Sequence, residues 1–274
     1  MEIFQYDFMR KAFLVGIMLA VIIPCIGVIV VLKRLSMIGD AISHTSLAGV
    51  TFGLVFNINP ILASIIFCIL SALSIEFIRK RVSKYGEISI AIIMSLSISI
   101  AGLLSGFVSN NSNFNSFLFG SIVAVSDFEL KLVMLISTLS ILIFVFLYKE
   151  IFYIVFNERL AKLSGVPVNR INFIFTILTA VTVSISARAI GALIVSSMMV
   201  VPAACSMQIA NSYKKTIIYA VIFNVFFTIL GIFVSYYYGL KPGATIVLIS
   251  IITFIIIIFI KYIISSKYKR ILTK

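Results

Sequence analysis

Runs of about twenty apolar residues, broken only by short polar or basic stretches, recur from one end of this chain to the other. A helix rising ~1.5 Å per residue needs about that length to span a ~30 Å hydrocarbon core. The runs fall at residues 12–32, 37–56, 60–78, 88–108, 128–148, 171–187, 190–210, 216–238 and 243–263. They predict an all-α, polytopic integral membrane protein with about eight or nine transmembrane helices, the lower count applying if one short segment is re-entrant. Residues 117–125 are apolar but too short to span, which suits a re-entrant or interfacial piece. Pro24 and Gly27 are expected to kink the first span, and Pro202 to break the one at 190–210. Residues 1–11 mix acids and bases and read as a surface segment. No linker or low-complexity tract divides the chain, so residues 1–274 are expected to form one transmembrane domain.

Only 11% of the residues are charged, against about a quarter in soluble domains. The net charge of +13 does not indicate nucleic acid, because the bases lie between apolar runs instead of forming one surface. Arg79, Lys80 and Arg81, the stretch 149–170, Lys214 and Lys215, and the tail from Lys261 mark the cytoplasmic side. Holding these on one side gives an outward N-terminus. Cys25, Cys68 and Cys205 sit inside apolar segments without CxxC spacing and read as buried thiols. The first run is too long for the apolar region of a cleavable signal.

Asp40 and His44 are the most informative pair. His44 is the only histidine, and Asp40 is the carboxylate set deepest in an apolar run; Glu76 lies at the edge of one. At i and i+4 they share a helix face. Ionisable groups in a membrane interior usually face a cavity, a partner or a permeating ion. An imidazole nitrogen beside a carboxylate oxygen suits a divalent metal such as zinc or manganese. Counting from Lys33 places His44 ~15 Å deep, about half the core. A second reading stays open: a polar pair that only ties two helices together. In the same helix Gly49 and Gly53 form a GxxxG that would let another helix approach closely.

Residues 156–167, with Phe156, Asn157, Glu158, Leu160 and Ala161 and a stop at Gly165 and Pro167, read as a short amphipathic cytoplasmic helix. Such a helix docks on a soluble partner or lies on the lipid surface. Met198 and Met199 read as packing. Arg188 is expected at the outer end of a helix hairpin, snorkelling or paired with a carboxylate. No GxxxxGKS/T, HExxH or GxSxG pattern occurs, so neither nucleotide binding nor hydrolysis is expected of this chain. One deep acid is a poor supply for proton or sodium coupling. A pump of this composition draws its energy from a partner.

Asp40, Ala41, Ile42, Ser43 and His44, followed by Leu47, Gly49 and Val50, resemble the D-A-I/V-S-H-x-x-L-x-G-V/I signature of ABC-3 permeases. These are the membrane subunits of zinc and manganese ABC importers. Residues 117–120 to Ser126, 156–161 with Gly165, Gly191 to Pro202, and Ser235 to Val247 match in the family's order, so the resemblance covers nearly the whole chain. Ala48 departs from it where proline is common. The resemblance implies a homodimeric permease in the plasma membrane, working with two cytoplasmic ATPase subunits and an extracellular metal-binding protein. It implies that residues 156–165 couple to the ATPase. It also implies that Asp40 and His44 transiently ligate zinc or manganese as cargo, with no tightly bound cofactor. A permease for a metal chelate such as a siderophore or haem, and a non-transporting membrane scaffold, remain as alternatives.

Overall fold

The structure, a computed structural model, describes residues 5–81, 86–108 and 126–272. Among these the regular elements are all α-helical: α1 Asp7–Leu32, α2 Ile38–Val55, α3 Pro60–Arg81, α4 Gly86–Ser105, α5 Asp127–Phe146, α6 Tyr148–Phe156, α7 Glu158–Leu163, α8 Val168–Ile190, α9 Ala192–Ile209, α10 Tyr213–Tyr238 and α11 Pro242–Leu272. Seven of them are long and apolar enough to cross a membrane. The other two expected spans, α2 and α9, are helices of 18 residues each. The expected piece at 117–125 lies outside the described residues.

Contacts at the helix ends give the bundle its direction. At one end Lys11 pairs with Asp127 at 2.5 Å and Arg188 with Glu129 at 2.6 Å. At the other, Lys33 Nζ donates to Asn172 Oδ1 at 2.7 Å, and Tyr213 packs on Tyr148 and Phe152 with ring centroids 5.4 and 5.1 Å apart. The second end also carries Arg79–Arg81 and Lys214–Lys215, so by charge it is cytoplasmic. The N-terminal helix therefore begins outside.

Three local readings of the sequence change. Helix α1 begins at Asp7, not after residue 11, because Met9, Ala12 and Phe13 continue its buried face. Pro202 does not break its helix: α9 runs through it to Ile209. The expected span at 128–148 is α5, which ends at Phe146, and the charged stretch after it opens with a helix of its own, α6, that the sequence did not announce.

Proline 24 also sits inside a helix, where its missing N–H strands the carbonyl of Ala20 four residues back. Asn224 of α10 repairs this, its Nδ2 donating to Ala20 O at 3.1 Å. The neighbouring packing depends on absent side chains. A Cβ at Gly27 would overlap the backbone carbonyl of Met199 on α9. One at Gly49 would lie 2.6 Å from Ser64 Cα, and one at Gly53 2.7 Å from Pro60 Cα, both on α3. Small residues thus bring α1 onto α9 and α2 onto α3 at backbone distance, as membrane bundles require.

Gly27→Ala should lower stability by about 1–3 kcal/mol, since backbone meets backbone and cannot yield cheaply. Gly102→Ala in α4, where an added Cβ meets nothing within 4 Å, should instead gain about 0.5–1 kcal/mol of helix propensity. Thermal unfolding of the two purified variants in one detergent checks the opposite signs.

Candidate functional site

Asp40 and His44 are the third and seventh residues of α2. Both are half-buried, and neither makes a hydrogen bond or ion pair among the described residues. Their neighbours explain which way they face. Thr45 bonds Ser71 of α3 at 3.0 Å and Ser97 of α4 at 2.6 Å. Ser46 bonds Ser64 at 2.8 Å, and Ser64 bonds Ser184 of α8 at 2.7 Å. Cys68 donates to Ile42 O at 3.4 Å. These bonds clamp one side of α2 onto α3, α4 and α8. On another side Gly39 receives α9, an added Cβ there lying 2.7 Å from Met199 Cε and 3.5 Å from Ser196 Cβ. What is left uncovered is the stripe of Met37, Asp40 and His44.

The depth differs from the sequence estimate. Residues 33–37 form a turn, so His44 stands six residues, about 9 Å, into α2. No third His, Cys, Asp or Glu joins the pair among the described residues. Met198 and Met199 are 2% and 1% exposed within the core and pack.

The cytoplasmic segment is built from two helices. Helix α6 shows an apolar face, burying Ile151 and Ile154, and ends at Phe156. Asn157 then extends at φ −158° and caps α7, its Oδ1 accepting from Arg159 N at 3.0 Å and Leu160 N at 3.1 Å. Helix α7 is therefore six residues, shorter than the expected helical piece over 156–167, and Phe156 belongs to the helix before it. Glu158 pairs with Lys162 at 3.4 Å, Ala161 is buried, and Gly165 ends the segment at φ 81°, a conformation glycine adopts without strain. Phe156, Leu160 and Leu163 are 72%, 60% and 84% exposed. Three apolar side chains thus stand in the open at the cytoplasmic end.

Above α7 lies an ionic cluster that sequence reading missed, because its members are far apart in the chain. Lys33 meets Asn172, and its ammonium stands 5.4 Å from the centre of the Phe175 ring. Burial, with Arg79 nearby, pushes the Lys33 ammonium down to about 8. Arg79 grips Glu76 through Nε and Nη2, each at 2.9 Å. At the outer end Arg188 pairs with Glu129, the second of its two expected arrangements, and Glu129 also accepts from Ser126 N at 2.9 Å in a capping box.

A multi-pass helical membrane protein with an exposed apolar cytoplasmic helix and a partnerless Asp–His stripe is what this geometry defines. The ABC 3 transport family matches residues 5–261. A Treponema pallidum protein named "Probable metal transport system membrane protein" is 33% identical over 93% of this chain and 96% of its own length. The Listeria monocytogenes manganese transport system membrane protein MntC is 29% identical over 92% of this chain and 90% of its own. The structure of PsaBC from Streptococcus pneumoniae in complex with Fab superposes with a TM-score of 0.83 at 26% identity, covering 93% of this chain and 92% of that one. The chain belongs to the ABC 3 transport family. It is a membrane-spanning ABC permease subunit, whose ATP hydrolysis resides in a separate subunit and which works with ATPase and substrate-binding partners.

Glu129→Ala should cost about 2 kcal/mol, below the full penalty for breaking a buried pair because Arg188 keeps 33% exposure. Asp127→Ala should cost much less, its carboxylate being 77% exposed. Chemical unfolding in detergent measures the difference.

Proposed function

We propose that this permease passes a divalent transition metal, zinc or manganese, along the stripe of α2 that carries Asp40 and His44. One observation supports it above the rest: two half-buried ionisable side chains with no partner among the described residues, in a helix whose other residues up to Thr51 are buried. Leaving a charge unpaired in such a place is expensive, and a passing cation relieves the cost. Imidazole nitrogen with carboxylate oxygen is a donor set that zinc and manganese both accept. A bare ion suits this stripe better than a siderophore or haem, which needs a roomy path and no metal ligands.

In this reading the uncovered stripe faces a second copy across a two-fold axis, so that the ligands of two protomers meet. The working unit is a homodimer with two ATPase subunits and an extracellular metal-binding protein. Phe156, Leu160 and Leu163 dock in a groove of the ATPase, Asn157 and Gly165 holding that helix in place.

Metal-starved cells carrying the complete transporter should accumulate zinc or manganese, read by elemental mass spectrometry. Asp40→Ala and His44→Ala should reduce this to background at equal membrane levels of the protein. Equal accumulation in all three would make the pair structural; none in any would favour the chelate reading. Leu163→Glu, placing a charge in the docking surface, should leave α7 folded yet lower metal-coupled ATP turnover at least about tenfold, the loss typical of a spoiled interface anchor. Turnover at the wild-type rate would contradict the docking assignment.

A further inference from the structure

The turn that leads into α2 is held under strain. Helix α1 closes with Arg34 N–H donating to Val31 O at 3.0 Å and Leu35 N–H to Val30 O at 2.9 Å. This pattern puts Arg34 in the left-handed region at φ 57°, where glycine is the usual occupant. A strained residue persists where its surroundings hold it. Lys33, one position earlier, is the hold. Its ammonium reaches across to Asn172 Oδ1 at 2.7 Å and covers the Phe175 ring, both on α8.

The hold continues into α3 and towards α7. Lys33, Glu76, Arg79 and Asn172 border a cavity of about 20 Å³, room for one water molecule. Asn172 Nδ2 is buried with no partner among the described residues, and it is the donor such a water satisfies. Helix α7 is joined to the start of α8 by the turn at 164–167, where Val166 N–H donates to Ala161 O at 3.1 Å, and the two helices touch. The turn before the Asp–His stripe, the end of α3 and the start of α8 therefore meet at one polar junction, and the exposed cytoplasmic helix joins it through α8.

We propose that Lys33 is a positioning residue for transport: by tying the turn before α2 to Asn172, beside the Glu76–Arg79 pair, it makes Asp40 and His44 follow movements of α7. The proposal rests on the reading of α7 as the ATPase contact and of α2 as the cargo path. Without the tie, α7 is displaced while α2 stays behind, and ATP is spent without transport.

The test uses the full transporter in vesicles, with uptake of manganese or zinc and ATP hydrolysis read together. Lys33→Met keeps the stem and removes the charge. It should lower metal moved per ATP about tenfold, the factor carried by a charge-assisted hydrogen bond, with ATP hydrolysis near wild type. Lys33→Arg should restore coupling. Asn172→Leu should reproduce the loss, and the double variant should lose no more than either single one. Wild-type metal per ATP in Lys33→Met, or in Asn172→Leu should Lys33→Met fail to fold, overturns the proposal.

A second readout needs no metal. Cys25, Cys68 and Cys205 are buried, so a thiol introduced by Ser36→Cys in the turn is the accessible one. Its labelling rate should change between nucleotide-free and ATP-trapped states, and Lys33→Met should abolish the change. Labelling that ignores nucleotide in the wild-type background, or responds equally in Lys33→Met, overturns the tie. Should the wild type carry no metal while this labelling behaves as expected, the cargo reading falls and the tie stands.

Discussion

In lipid an apolar side chain gains little by touching a helix instead of an acyl chain, so contact between spans depends on close backbone approach and on hydrogen bonds. Helix α2 is held in both ways. Gly39, Gly49 and Gly53 let Met199, Ser64 and Pro60 come up to its backbone. Thr45, Ser46, Ser64, Ser71, Ser97 and Ser184 join it to α3, α4 and α8 through buried hydroxyls. These contacts fix its rotation about its own axis. Fixed rotation is what leaves Asp40 and His44 together on the uncovered side.

The two ends of the bundle are closed by different means. The outer end uses carboxylates of α5 against Lys11 and Arg188. Between helices, the inner end relies on cations that meet neutral acceptors, Lys33 on Asn172 and Lys261 on Gln208, while Glu76 and Glu158 pair within their own helices. The sequence anticipates this split: of its nine acids none lies beyond Glu158. A basic C-terminal half facing the cytoplasm orients the chain and sits well against an anionic leaflet.

Much of this was legible in the sequence because membrane spans announce themselves by length and hydropathy. The positions of nearly all the helices, the direction of the chain and the shared face of Asp40 and His44 follow from residue spacing alone. What escaped has definite causes. Helix α6 was hidden because Lys149 and Glu150 mark its start as a charged interruption, although its later residues keep an apolar face. Pro202 misled because a neighbouring helix, as Asn224 does for Pro24, can serve a proline-bearing helix that sequence reads as broken. The distance of His44 along its helix was overestimated because residues 33–37 form a turn and α2 begins only at Ile38. The cluster joins the i,i+3 pair of Glu76 and Arg79 to Lys33 and Asn172, three distant places in the chain, and no local pattern encodes that meeting.

The frame around α2 also bears on what completes a cation's shell beside Asp40 and His44. Hydroxyls near the pair are natural candidates as further ligands. Yet Thr45 and Ser46 are committed to Ser71, Ser97 and Ser64, and drawing them onto a metal would release α2 from α3 and α4. Ser43 has an unpartnered Oγ, but that atom is buried. Among the described residues that leaves water, and in the proposed dimer the same two residues of a second copy. A shell completed by water is weak by the standard of a storage site, and weakness is what conduction needs: an ion must bind well enough to enter and poorly enough to leave. The same hydroxyl bonds that hold α2 rigid keep the stripe proposed to pass the metal sparse.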